Sequence, residues 1–284
     1  MLAAASGDAL SFVQAVILGL VEGLTEFLPI SSTGHLLVTA RILDVGQHGA
    51  AKDAVKSYEI AIQSGAILAV LGLYRHRLAT MVEGAVGRSA DGRRVLVGVL
   101  IAFVPAAIVG LVAEKIIKDV LFGVWPVVAA WVVGGVLILV LSRNGMLAPK
   151  GGLSLERLTP RHALIIGAAQ VLALWPGTSR SLVTIAAALL IGFSMSAAVE
   201  FSFLLGFVTL GAATAYQILQ DGKTMIDAFG WFTPLVGLVV ALLAAAASIK
   251  WMVGYLERHD LSIFGWYRIA IAALVTLLVV TNTI

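Results

Sequence analysis

Glu22-Gly23-Leu24-Thr25-Glu26-Phe27-Leu28-Pro29-Ile30-Ser31-Ser32-Thr33-Gly34-His35 sets two carboxylates, a proline, four hydroxyls and an imidazole inside a stretch apolar enough to enter a lipid bilayer. The apolar residues before the tip run from Leu10 to Leu28 and stop at Pro29. Those after it, Leu36 to Val45, are too few to cross a hydrocarbon core of about 30 Å. Proline removes a backbone donor and ends a helix. Irregular backbone at membrane depth survives only where protein or a water-filled cavity surrounds it. The pattern therefore predicts a re-entrant helical hairpin whose tip, Pro29 to His35, lies inside the membrane. It recurs further along: His162 to Trp175 stops at Pro176, Leu182 to Phe193 is again short, and between them stands Trp175-Pro176-Gly177-Thr178-Ser179-Arg180-Ser181.

Six other apolar runs are long enough to cross a membrane: roughly Ser57 to Tyr74, Val95 to Ala113, Leu121 to Leu141, Ala197 to Gln217, Trp231 to Val253 and Trp266 to Thr283. Of the 284 residues 60% are hydrophobic and only 12% charged, with a mean hydropathy of +1.01, which excludes a soluble domain. The expected fold is an all-α polytopic membrane protein, a single integral membrane domain over residues 1–284, with six spanning helices and two re-entrant hairpins. Each half, about 1–145 and about 155–284, would hold one hairpin and three spans, and an odd number of crossings inverts the second half. The two prolines stand 147 residues apart (29 to 176), and Tyr58-Glu59-Ile60 with Gly65 recurs as Val199-Glu200-Phe201 with Gly206. Such inverted repeats place a binding site at the midplane.

Loop charges orient the chain. Arg75, Arg77, Arg88, Arg93, Arg94, Arg143, Lys150, Arg157, Arg161 and Arg258 fall on one side; Lys52, Lys56, Lys115, Lys118 and Lys223 fall on the other. By the positive-inside rule the first set is cytoplasmic, and both termini lie outside. Met1 to Ser11 lacks the basic start of a secretory signal and is expected to be retained. The net charge of +3 reports topology, and no basic stripe points to nucleic acid. Without cysteine, thiolate chemistry is excluded.

Residues four apart on a helix share a face, so Glu22 and Glu26 present their carboxylates to one spot. A charge at bilayer depth costs from about 3 to more than 10 kcal/mol. Two acids there share a proton, bind a divalent cation such as Mg²⁺ or Ca²⁺, or pack as neutral hydrogen-bonded groups. Ser31, Ser32, Thr33 and His35 follow, where a hydroxyl beside an imidazole makes a nucleophile or the imidazole shuttles protons. In the second tip Arg180 is permanently charged, and its fork matches phosphate oxygens. With Gly177, Thr178, Ser179, Ser181 and Thr184 it reads as a phosphate cradle; the alternative is an ion pair with Glu22 or Glu26. Acids, a nucleophile and an arginine around one cavity fit phosphoryl transfer. A site in the bilayer suits a substrate with a lipid tail and a phosphate head.

At these residues the chain resembles the bacterial undecaprenyl-diphosphate phosphatases linked to bacitracin resistance, over nearly its whole length. The likeness rests on Glu22 to His35, Gln63 to Val70, Pro176 to Ser181 and Glu200-Phe201-Ser202-Phe203. Leu182-Val183-Thr184 departs from the family's usual Gly-Ala-Thr, keeping the threonine. The resemblance implies a cytoplasmic-membrane hydrolase that removes the terminal phosphate of undecaprenyl diphosphate, recycling the lipid carrier of peptidoglycan synthesis, through a cavity open to the periplasmic side. It implies Glu22 and Glu26 as cation ligands or acid and base, Ser32 as nucleophile with His35 as its partner, and Ser179 and Arg180 in the phosphate loop. The expected partners are a polyprenyl diphosphate, the bilayer and a second copy in a homodimer. The rival reading is a transporter or flippase, which needs the same inverted repeats and midplane charges but no nucleophile.

Overall fold

A computed structural model describes residues 10–46, 49–147 and 151–284. Most of the expectation about Met1–Ser11 lies outside those residues, as do Lys150 and the side chains of Lys52, Lys56 and Lys223 from the loop-charge argument. The chain is all-helical: α1 Phe12–Thr25, α2 Ser32–Ile42, α3 Gly49–Leu73, α4 Arg75–Ala85, α5 Ala90–Leu121, α6 Val124–Arg143, α7 Pro160–Gln170, α8 Arg180–Leu190, α9 Met195–Phe229, α10 Phe232–Leu256 and α11 Ser262–Val280. No strand forms among the described residues apart from an isolated bridge between Leu153 and Phe193.

Local sequence sets the helix starts. Ser11 and Gln14 close a capping box on α1; Ser89 and Ser194 cap α5 and α9; Thr159 caps α7, with Pro160 at the first helical position. Five helices are long and apolar enough to cross a membrane: α5, α6, α9 over Met195–Gln220, α10 and α11. This is a multi-pass membrane protein. The remaining expected span, Ser57 to Tyr74, falls in α3 as far as Leu73, where the helix ends, and its apolar part is Tyr58–Leu73. At 1.5 Å per residue that part covers only about 24 Å, because Lys52, Asp53 and Lys56 occupy the turns before it. One helix departs from expectation. Arg75 to Ala85, taken for loop because of its charges, forms α4 and packs on α5.

The packing has a pairwise regularity. α1 lies along α10 as α7 lies along α5, α3 meets α9, and α6 meets α11. The first two contacts are close because Gly23 faces the backbone of Ala241 and Gly167 that of Ala102, where any Cβ would collide. Outside the apolar layer, Arg77 pairs with Glu200 at 2.6 Å and with Glu156 at 3.3 Å, tying α4 to α9 and to the turn Leu155–Arg157. Glu200 of the repeated motif is thus held by an arginine.

Both apolar breaks have the same geometry. α2 and α8 are 11-residue helices, each started by a serine at positive φ: Ser31 at 74° and Ser179 at 75°. In each the serine hydroxyl accepts from the backbone N–H three residues on, Gly34 or Leu182. Non-glycine residues seldom adopt this conformation, and it costs about 1–3 kcal/mol. The breaks touch one another, since Ser181 Oγ donates to Leu28 O at 2.9 Å and Ser179 Oγ to the same oxygen at 3.3 Å. Arg268 of α11, fully buried, completes the junction. Its Nη1 donates to Pro29 O at 3.2 Å, and its Nη2 to Ala130 O and Gly177 O, both at 2.8 Å.

Candidate active site between two helix starts

The starts of α2 and α8 open onto one cavity of about 180 Å³. Glu26, Ser31, Ser32 and Thr33 form one wall; Pro176, Gly177, Ser179 and Arg180 form the facing one. Gln63 of α3, Gln170 of α7 and Thr209 of α9 complete its polar lining. That volume is below the roughly 300–1,000 Å³ of whole-ligand pockets, so it accommodates a head group and not a lipid tail. Free N–H groups at both helix starts and the positive ends of two helix dipoles favour an anion there.

Glu26 is the hub. Its Oε2 accepts a short hydrogen bond from Ser32 Oγ, and its Oε1 pairs with Arg180 Nη2 at 3.2 Å, both partners being largely buried. The ion pair named above as the alternative to a phosphate cradle is therefore formed. Arg180 also donates from Nη1 to Ser202 O at 2.9 Å, stands over the ring of Phe27 at 5.8 Å and keeps a buried Nε without a partner. Its fork is only partly used.

Other residues singled out from sequence stand behind this wall. Glu22 is buried, with Oε1 unpartnered, under the charges of Glu26, Glu59 and Arg180. His35 does not meet Ser32. Its Nδ1 bonds Ser31 O at 2.7 Å, its Nε2 bonds Tyr267 Oη at 2.9 Å, and its ring stands edge-on to Trp131 with centroids 5.0 Å apart. Trp131 Nε1 in turn donates to Ile30 O at 2.9 Å. Ser181 and Thr184 are wholly buried; Thr184 Oγ1 donates to Arg180 O at 2.8 Å and meets Ser202 Oγ at 2.7 Å. Thr178 is half-buried, its N–H bonded to Trp175 O at 3.1 Å.

Sequence reasoning missed Arg268, Gln170 and Thr209. A signal for the first exists, an arginine two residues into the last apolar run. A second signal is the pair Gly134 and Gly206: a Cβ at Gly134 would collide with the Arg268 guanidinium, and one at Gly206 with that of Arg180. Each buried arginine lies on a glycine of a neighbouring helix.

No group of three or more His, Cys, Asp or Glu residues suited to a metal occurs among the described residues. Two carboxylates on one helical face, one with an unpartnered buried oxygen, still fit a hard divalent cation, because such ions complete their shells with water and substrate phosphates.

A multi-pass helical membrane protein with a buried serine, carboxylate and arginine between two helix N-termini is in the class of intramembrane enzymes built to handle a phosphorylated head group. The chain belongs to the family described as bacitracin resistance protein BacA, whose profile matches residues 15–274. A protein of Sorangium cellulosum named undecaprenyl-diphosphatase is 47% identical over 264 residues, covering 92% of this chain and 84% of its own. Another of that name from Methylibium petroleiphilum is 44% identical over 283 residues, 95% of this chain and 96% of its own. One from Methylococcus capsulatus is 42% identical over 268 residues, 93% of each.

Gly206→Ala tests the geometry without removing a polar group. Its methyl forces the Arg180 fork aside, so thermal stabilisation by inorganic phosphate is expected to need at least about ten-fold more phosphate, the worth of a hydrogen bond to a charged group. An unchanged phosphate dependence would remove Arg180 from the anion site.

Proposed function

We propose that the protein hydrolyses undecaprenyl diphosphate to undecaprenyl phosphate and inorganic phosphate, recycling the lipid carrier of peptidoglycan synthesis in the bacterial cytoplasmic membrane and so conferring bacitracin resistance. The observation that carries this reading is the convergence of Ser32, Glu26 and Arg180 on one cavity between two helix starts. The family and the names of its relatives agree with it.

In this mechanism the terminal phosphate lies against the N–H groups of α2 and α8, and Arg180 turns its fork from Glu26 to the phosphoryl oxygens. Ser32 Oγ attacks the phosphorus while Glu26 takes the hydroxyl proton. The bond from phosphorus to the bridging oxygen breaks, and the lipid leaves as a monophosphate. Water then attacks the phosphoserine, releasing inorganic phosphate and returning the proton to Ser32. Glu26 is assigned as the base because Ser32 Oγ already donates to it. His35, held between Ser31 O and Tyr267, positions the tip backbone. Glu22 and Glu26 would hold the divalent cation, which when bound neutralises charge on the diphosphate.

The same reading makes α1–α2 and α7–α8 re-entrant hairpins and adds α3 to the five spans, giving two inverted halves. What supports the inversion is the matched pair of positive-φ serines and the reciprocal packing of α1 on α10 and α7 on α5. Both termini are then periplasmic.

Phosphate release from a polyprenyl diphosphate by purified protein with Mg²⁺ or Ca²⁺ tests the function. Turnover is expected for wild type and a fall of at least about a hundred-fold for Ser32→Ala, Glu26→Gln and Arg180→Ala, within the usual range for a catalytic group. Full activity in all three would place the chemistry elsewhere. Topology is checked by labelling, since the chain has no cysteine of its own. A membrane-impermeant maleimide applied to spheroplasts is expected to label Thr283→Cys and to spare Arg88→Cys until the membrane is broken; the reverse would invert the orientation.

A further inference from the structure

Two amides in the cavity wall have no part in the chemistry above. Gln63 of α3 and Gln170 at the end of α7 line the same cavity as Ser32 and Arg180. Each has its carbonyl oxygen engaged by a threonine of α9: Thr214 Oγ1 donates to Gln63 Oε1 at 2.9 Å, and Thr209 Oγ1 to Gln170 Oε1 at 3.5 Å. With the carbonyl ends so held, the NH₂ ends are what remains to be used. Gln170 is only 2% exposed, and its Nε2 has no partner. A buried donor without an acceptor is a desolvation cost that folded proteins rarely retain. An acceptor carried in by a ligand removes that cost. Of the remaining wall, Ala106, Ala173, Leu174 and Leu210 are apolar, and Thr209 is the threonine that holds Gln170.

We propose that Gln63 and Gln170 form a second phosphate subsite, which takes the oxygens of the phosphate that stays on the lipid while the two tips hold the phosphate that leaves. The inference rests on the diphosphatase reading of this cavity and adds its specificity. Neutral amides suit the retained phosphate for a physical reason. They supply hydrogen bonds to an anion without adding a second buried positive charge, which would hold the monophosphate product after the reaction. The subsite therefore makes the enzyme prefer a diphosphate, anchored at both phosphates, to a monophosphate.

The test compares wild type with Gln170→Leu and Gln63→Leu, substitutions on separate helices, using farnesyl diphosphate as substrate and farnesyl monophosphate and inorganic phosphate as inhibitors. In either variant, KM for the diphosphate and the inhibition constant of the lipid monophosphate are expected to rise roughly ten-fold or more, the size of a lost hydrogen bond to a charged group. Inhibition by inorganic phosphate, which the tips hold, is expected to stay as in wild type. Unchanged KM and unchanged monophosphate inhibition in both variants would overturn the subsite. A parallel loss of inorganic-phosphate inhibition would overturn it too, by tracing the effect to damaged tips. If wild type released no phosphate at all, the diphosphatase reading would fall and the subsite with it, an outcome visible before any variant is made.

Discussion

The buried guanidinium of Arg268 is the constraint on which the site depends. Its Nη1 and Nη2 donate to the carbonyls of Pro29, Gly177 and Ala130, which belong to the first break, the second break and α6. Those two breaks interrupt apolar segments, and a carbonyl left there without a donor costs about 1–3 kcal/mol. One charged side chain satisfies both and fixes their distance from each other. The serine bonds from Ser179 and Ser181 to Leu28 O add a second tie. Within the cavity wall the buried charge of Arg180 is paired with Glu26 at 3.2 Å. Either residue alone would be hard to bury; paired, they are compatible with a bilayer interior.

Held in this way, the two breaks carry strain to useful effect. Ser31 and Ser179 each sit near φ +75°, and that conformation starts a helix abruptly, so that the N–H groups of both helix starts face one volume instead of being absorbed in a preceding turn. Ser32, the first residue of α2, is carried by the same turn onto Glu26. In the proposed mechanism, substrate binding consists largely of an anion replacing Glu26 on Arg180, an exchange of one ion pair for another within a preorganised frame.

Much of this was legible in the sequence. Prolines ending apolar runs marked both breaks, carboxylates four apart marked the helix face, and Arg180 among hydroxyls marked a residue of the cavity wall. What was not legible depended on backbone geometry or on distant parts of the chain. Pairing Ser32 with Glu26 instead of His35 follows from the positive φ of Ser31, which no residue-type rule foretells for serine. Arg268 follows Trp266 and Tyr267, so it reads as part of an interfacial anchor, yet its carbonyl partners lie as far back as Pro29. α4 was hidden because its arginines resemble loop charges, while its function is to present Arg77 to Glu200. Gln170 showed nothing by type; only its burial and unpartnered Nε2 mark it.

The central claim, that Arg268 holds both breaks in one anion site, is tested most directly by thermal unfolding of Arg268→Met in detergent, with and without inorganic phosphate. Three buried carbonyls lose their donor, so the account predicts destabilisation by roughly 3 kcal/mol or more and the loss of stabilisation by phosphate. A variant with the wild-type midpoint and the wild-type response to phosphate would contradict it.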